Sequence, residues 1–267
     1  MPFVRAGDSV VYYDLAGPRD APGVAFGNSL GTNVHVWDDV FESFLPRFRV
    51  LRFDMRGHGL TDEGAAPSIA DLADDVAALL DALEIGRVRF VGLSIGGMIG
   101  QRLAAAHPDR VEALVLCATA NRIGTPDVWN GRIATVHASG MAALAEGVLG
   151  RWFTPATHAE RPELVRGFAN MLVRTPPGGY AGACAAIRDA DLAADDARIA
   201  CPTLVIAGAE DAVTPPADAF VLEAAIADAR AVVIDGAAHI VPAERPAAFV
   251  AAAVPFLEAR ARHAGAR

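Results

Sequence analysis

Ser94 stands in the stretch VRFVGLSIGGMIGQ, Val88 to Gln101, where four glycines and one serine join an apolar β-branched run to an amphipathic one. Two chemistries use such a turn. In G-x-G-x-x-G the glycines let the backbone approach a pyrophosphate, whereas in G-x-S-x-G a sharp strand-to-helix turn holds a serine hydroxyl clear of a sheet as a nucleophile. The order GLSIGG puts Ser94 where the phosphate turn needs its second glycine. Glu112, at about the spacing of a ribose-binding acid, falls at the start of the next apolar run instead of at a carboxyl end, and no G-K-[ST] follows. The nucleophile reading therefore prevails. Gly92 and Gly96 remove side chains that would collide as the chain reverses, and the Ile95 N–H, at a helix amino terminus, suits a developing oxyanion.

A serine hydroxyl needs a histidine to take its proton and a carboxylate to fix that histidine, in the chain order Ser, acid, His for this kind of turn. Of the seven histidines only His239, in VVIDGAAHI, follows a late strand and so reaches the edge where Ser94 sits. His58 in DMRGHG reads as a turn residue and His107, before Pro108, as a structural helix end; His35, His137 and His158 are pocket candidates of lower rank, and His263 is in the tail. The acid is assigned to Asp211 in LVIAGAEDAVTPP, with Glu210 second, while Asp235 reads as a turn residue too close to His239 in sequence. The second oxyanion donor is placed at the Leu30 N–H in VAFGNSLGTNVHVW, where Gly31 lets the loop fold back and Asn28 and Ser29 brace it.

These residues demand an alternating α/β frame. SVVYYDLAG, GVAFGNS and FRVLRFDM read as short strands. In SIADLADDVAALLDALEIG, Ser68 and Asp71 form a capping-box pattern, apolar residues recur at helical spacing, and Gly86 is expected just past the end. VRFVG and VEALVLCATA, fully apolar strands flanking the helix GGMIGQRLAAAHP, indicate a parallel sheet covered on both faces. Strand signals stop between about Asn121 and Arg198, then resume with CPTLVIAGAED, a helix through ADAFVLEAAIADA, the run RAVVIDGAAHI and a last helix from about Pro246. Residues 1–120 and 199–267 are expected to form the α/β core, and 121–198 a helical cap over the sheet's ligand-binding edge.

Lys and Arg number 23 against 32 Asp and Glu, and a net charge of −9 without a basic cluster argues against nucleic acid or an anionic membrane as partner. An anionic substrate must then be held by individually placed arginines. No window is long and apolar enough for a membrane helix, and MPFVRAGDSVVYYDLAGP lacks a signal-like apolar core, so a cytoplasmic protein is expected. Cys117, Cys184 and Cys201 lack metal or disulfide spacing and read as reduced core residues. The terminal ARARHAGAR reads as a frayed helix end.

DMRGHGLTD, VGLSIGGMIGQ, PTLVIAGAEDAVTPP and GAAHIVPAERP together resemble the α/β-hydrolases along the whole chain. NSLGTNVHVWD, LCATANRIGTPDVWNGRI, RWFTP and GYAGACAAIRDADL narrow the resemblance to the 3-oxoadipate enol-lactonases, and the last three lie in or lead into the expected cap. That resemblance implies attack of Ser94 on the ring carbonyl of a small anionic lactone, proton transfer through His239, and no metal or organic cofactor. It also implies a cation for the lactone's acetate side chain: Arg132, paired with Trp129 in VWNGRI, is the first candidate, with Arg151 and Arg188 as alternatives. Trp129 and Trp152 are assigned to the cap pocket or its core. A carboxylesterase or carbon–carbon bond hydrolase on the same triad, or a receptor that binds a small ligand with little turnover, are the competing readings.

Overall fold

Eight strands frame the described residues: β1 (Phe3–Ala6), β2 (Ser9–Ala16), β3 (Gly23–Gly27), β4 (Arg49–Phe53), β5 (Val88–Leu93), β6 (Val111–Cys117), β7 (Thr203–Gly208) and β8 (Ala229–Ile234). In the computed structural model, which describes residues 2–264, they form one sheet in the order β1-β2-β4-β3-β5-β6-β7-β8. β2 runs antiparallel to β1 and β4, and every other neighbouring pair is parallel. The central strands are apolar because they are covered on both sides: every residue of β5 and β7 is buried. Even Arg89 is enclosed there, its charge met by Glu112 at 2.8 Å, which gives that acid a structural partner.

The helices are α1 (Asp38–Phe44), α2 (Ile69–Ala82), α3 (Ile95–Ala106), α4 (Pro126–Ser139), α5 (Ala145–Trp152), α6 (Pro155–Glu160), α7 (Pro162–Val173), α8 (Pro177–Asp189), α9 (Ala193–Asp196), α10 (Pro216–Ala225), α11 (Val241–Glu244) and α12 (Pro246–Ala264). α1 and α12 pack together over one face of the sheet, while α2, α3 and α10 cover the other. Helices α4 to α9 all lie between β6 and β7, within the stretch where strand signals stop, and the described chain has no strand there. The Leu192 N–H donates to the Asn121 carbonyl at 3.0 Å, tying the two ends of this insertion together.

Local signals hold at some boundaries and yield at others. The Ser68–Asp71 capping box forms as the spacing predicts. The C-terminal expectation needs correction: α2 stops at Ala82, and Glu84 takes the left-handed conformation at φ 54°, so Gly86 is not the stop. β8 also ends sooner than its apolar run suggests. A turn at Asp235–Gly236 releases the chain beyond Ile234, which leaves His239 on a loop at the carboxyl edge. β1, short and half exposed, carries too little apolar alternation to be read in advance. Cys117 and Cys184 are buried and Cys201 half-buried, all as free thiols. The last three residues of ARARHAGAR fall outside the described residues.

Candidate active site

The turn after β5 holds Ser94 at φ 57° and ψ −118°, a backbone conformation that costs a non-glycine residue about 1–3 kcal/mol. The surroundings over-determine it. The Ser94 N–H donates to the Cys117 carbonyl at 2.9 Å, and its own carbonyl accepts from the Gly97 N–H and the Thr119 hydroxyl, both at 2.8 Å. A Cβ at Gly92 would lie 2.2 Å from the Gly96 carbonyl oxygen, and one at Gly96 would lie 2.2 Å from that of Gly27. Both collisions are with backbone, so only glycine permits the turn.

His239 and Asp211 converge on the same edge from the loops after β8 and β7. His239 Nδ1 lies 2.8 Å from Asp211 Oδ2, and both side chains are buried. Asp211 also accepts from the N–H groups of Val213 (2.7 Å) and Thr214 (3.1 Å) and from the Thr214 hydroxyl (2.8 Å). Burial pushes its carboxyl up, but His239 and these donors together hold it below the usual aspartate value, so it remains an anion. With Nδ1 engaged, Nε2 is the nitrogen left to exchange a proton. No hydrogen bond joins Ser94 Oγ to His239 among the described contacts; the two side chains meet by lining one cavity. Glu210 is exposed at this turn and points to no such partner.

On the other flank, the loop after β3 brings Leu30 to that cavity. The Leu30 N–H has no hydrogen-bond acceptor among the described residues, and the Ile95 N–H, first in α3, has none within its helix. The arrangement thus offers two free donors beside a serine. Asn28 braces the loop, its side chain donating to the Phe53 carbonyl at 2.7 Å and accepting from Trp37 Nε1 at 2.8 Å. Ser29 contributes through its carbonyl, which accepts from the Thr32 N–H and hydroxyl.

His58 does more than the turn role expected of it. Fully buried, it accepts the Gly31 N–H at Nε2 (3.0 Å) while Nδ1 faces the Arg56 carbonyl at 3.2 Å. This pattern requires the neutral ring with its proton on Nδ1, and burial pushes its pKa down to about 4. The contact spans 27 positions of sequence and fixes the residue next to Leu30.

The opposite wall of the cavity comes from the insertion. Trp129, Arg132, Val148, Arg151, Trp152 and Ile187 face Ser94, His239, Leu30 and Val213 across a narrow space of about 20 Å³, room for about one water. Anything larger enters only as these side chains shift. Arg132 stacks over Trp129, 4.7 Å from the ring centroid, and bonds the buried Tyr180 hydroxyl at 3.3 Å. Neither Arg132 nor Arg151 has a carboxylate partner among the described ion pairs, and partial burial together with the Arg132 charge lowers the Arg151 pKa. Arg188 instead pairs with Asp189 and Asn130, away from the cavity. The remaining histidines also stand apart: His107 faces Asp74, His158 the Leu149 carbonyl, and His35 and His137 line outer clefts. A wider cleft of about 720 Å³ between α7 and residues 32–39 holds none of Ser94, Asp211 and His239. Among the described residues there is no cluster of three or more potential metal ligands and no helix long and apolar enough to cross a membrane.

Tyr180, Thr214 and Val213 escaped the sequence reading. The Asp-x-x-Thr spacing of Asp211 and Thr214 is a local signal that could have found one of them, since a short polar side chain there can close a turn onto the carboxylate.

A strained serine between β5 and α3, facing a histidine–aspartate pair across the carboxyl edge of a parallel sheet, defines a class. The family model for the alpha/beta hydrolase fold matches residues 25–246, and the chain belongs to that family. It is a hydrolase of the ester and lactone class. More narrowly, it is similar to 3-oxoadipate enol-lactonase 2 of Acinetobacter baylyi, with 38% identity over 92% of each chain, and to 3-oxoadipate enol-lactonase 1 of the same organism, with 35% identity over 88% of each. Its fold is similar to the crystal structure of the enol-lactonase from Burkholderia xenovorans LB400: TM-score 0.94, 40% identity, covering 96% of this chain and all of that one.

Proposed function

We propose that this chain is a cytoplasmic enzyme that hydrolyses β-ketoadipate enol-lactone (4,5-dihydro-5-oxofuran-2-acetate) to 3-oxoadipate, in the degradation of aromatic compounds through catechol or protocatechuate. The observation that carries the reading is the pair of arginines without carboxylate partners, Arg132 and Arg151, at the cavity that Ser94 and His239 also line. In a chain of net charge −9, two such cations beside a nucleophile suit a small anionic substrate. The similarity to the enol-lactonases supports the choice of lactone.

In the proposed cycle Ser94 Oγ attacks the ring carbonyl carbon as His239 Nε2 takes its proton, and the carbonyl oxygen becomes an oxyanion between the Leu30 and Ile95 N–H groups. Asp211 holds the imidazolium through Nδ1. Collapse of the tetrahedral centre breaks the ring carbon–oxygen bond. The departing oxygen is an enolate, a weaker base than an alkoxide, and it receives the proton from His239. Water then attacks the acyl-serine, giving its proton to His239, which returns it to Ser94 Oγ; the released enol becomes 3-oxoadipate. Trp129 and Trp152 form the wall that excludes bulk water, and Arg132 and Arg151 bind the acetate carboxylate throughout.

Loss of the enol-lactone's ultraviolet absorbance tests this directly. Wild type is expected to turn the lactone over and Ser94→Ala to lose at least about a thousandfold in kcat. Rapid cleavage of neutral aryl esters with no turnover of the lactone would assign the site to an ordinary carboxylesterase, and stoichiometric binding without turnover would assign a receptor.

A further inference from the structure

Glu244 is a buried carboxylate five positions beyond His239, and no cation neutralises it among the described ion pairs. Such a charge persists inside a protein only where hydrogen-bond donors surround it. Four do, from two different parts of the fold. Oε2 accepts the N–H of Ala238, the residue before His239, at 2.5 Å. Oε1 accepts the Thr154 N–H (2.8 Å), the Thr154 hydroxyl (3.0 Å) and the Thr157 hydroxyl (2.7 Å). Thr154 is the N-cap of α6 in the helical insertion. The other side of His239 is tied to the same segment: the Ile240 N–H donates to the carbonyl of Trp152, whose side chain lines the cavity, at 3.1 Å. Arg161 adds a third tie through the Ala243 carbonyl at 2.7 Å.

We infer that Glu244 is a positioning residue for His239, clamping the histidine loop to residues 152–157 so that the insertion and the general base are seated together. Both peptide N–H groups that flank His239 are held by this connection, Ala238 by the Glu244 carboxylate and Ile240 by the Trp152 carbonyl. A displacement of the cavity wall at Trp152 is thereby passed to the imidazole. The sequence offered no separate signal for this role, because the threonine partners that tie it to the insertion, Thr157 and Thr154, lie 87 and 90 positions away.

This inference rests on His239 being the base that activates Ser94, and its test avoids dependence on the lactone. The substitution Glu244→Gln keeps the side chain's shape but replaces one oxygen by an NH₂ group, which sets a donor against either the Ala238 N–H or the threonine donors. Purified variants are titrated with a fluorophosphonate that labels Ser94, and the labelling rate is measured alongside kcat and KM on a neutral aryl acetate. Glu244→Gln is expected to label to full stoichiometry, with its labelling rate and kcat per labelled site lowered at least about tenfold and KM within about threefold of wild type. A merely structural role would lower the labelled fraction and leave the rate per site unchanged, which overturns the inference. If Glu244→Gln yields no folded protein, Thr157→Val removes one hydroxyl donor at the far end of the clamp; a kcat fall of about threefold supports the inference and an unchanged kcat overturns it. His239→Ala separates the two readings: labelling at the wild-type rate in that variant overturns the base assignment along with the clamp, whereas slow labelling in His239→Ala with normal labelling in Glu244→Gln overturns the clamp alone.

Discussion

Replacing Arg132 separates recognition of the substrate anion from chemistry at Ser94. Arg132 is half-buried, stacked on Trp129 and bonded to Tyr180, so its guanidinium has neutral neighbours and no competing carboxylate among the described ion pairs. A hydrogen bond to a charged group contributes about 1.5–3 kcal/mol. At about 1.4 kcal/mol per factor of ten, its loss corresponds to a KM increase of roughly ten- to 150-fold for the anionic lactone. Arg151 is more exposed, and its share is nearer 1 kcal/mol, about fivefold. Because both arginines face one small cavity, each partly substitutes for the other, and the double variant is expected to exceed either single one. Truncation also strips Trp129 of its stacked neighbour, so Arg132→Met, which keeps an apolar stem over the ring, accompanies Arg132→Ala. Initial rates are compared on the enol-lactone and on the same ring with its acetate methylated, both followed by ring absorbance. The expected outcome is a large rise in KM for the anion, a change within about twofold for the neutral ester, and a kcat close to wild type on both. Equal effects on the two substrates would refute the assignment of Arg132 to the carboxylate.

His58→Leu leaves the buried Gly31 N–H without an acceptor, at a cost of about 1–3 kcal/mol, and is expected to lower kcat at least about tenfold with KM within threefold; His58→Gln, which can still accept, is expected to recover part of the loss in the same rate assay. Gly96→Ala sets a Cβ against the Gly27 backbone and is expected to depress the Tm and abolish esterase activity together, whereas a folded and active variant would contradict the turn geometry. Two buried groups oppose each other in acid. Burial lowers the His58 pKa from 6.5 to about 4, so its contribution is complete above about pH 6.5 and lost as pH falls toward 4, about 3 kcal/mol in all. Burial foremost raises Asp196 from 3.8 to about 6, so its contribution is present below about pH 4 and lost as pH rises through 6, by a similar amount. Asp196→Asn is therefore expected to raise the urea midpoint at pH 7.5 and to keep less of that gain at pH 4.5; an equal gain at both values would argue against the shifted carboxyl.

What the sequence disclosed was whatever depends on neighbours in the chain. Gly92, Ser94 and Gly96 announce a turn because their spacing is a local pattern and a Cβ at Gly92 would collide within the turn itself, although the atoms that exclude a side chain at Gly96 belong to Gly27 and Asn28, far off in sequence. His239 and Asp211 were legible because strand ends in a parallel sheet face one edge. Arginine roles were not, since an arginine with a carboxylate partner and one without look alike in sequence: Arg188 meets Asp189, while Arg132 meets Trp129 and the Tyr180 hydroxyl, and neither it nor Arg151 has a carboxylate among the described ion pairs. His58 looked like a turn residue because its acceptor role depends on Gly31 folding back from another loop. The stop of α2 was misplaced because Glu84 adopts a left-handed backbone that glycine would have been expected to supply at Gly86.

The hydrogen bond from Leu192 to Asn121 bears on how such a protein diversifies. Since β6 and β7 are neighbours and the excursion between them is closed at its base, its helices can be lengthened, shortened or exchanged with little entropic cost to the sheet. The ties at Glu244, Ile240 and Ala243 restrict that freedom. A transplanted excursion that lacks counterparts of Thr154, Thr157 and Arg161 would bring new walls and a misplaced histidine, so a working chimera must inherit those three residues or acquire a new partner for Glu244.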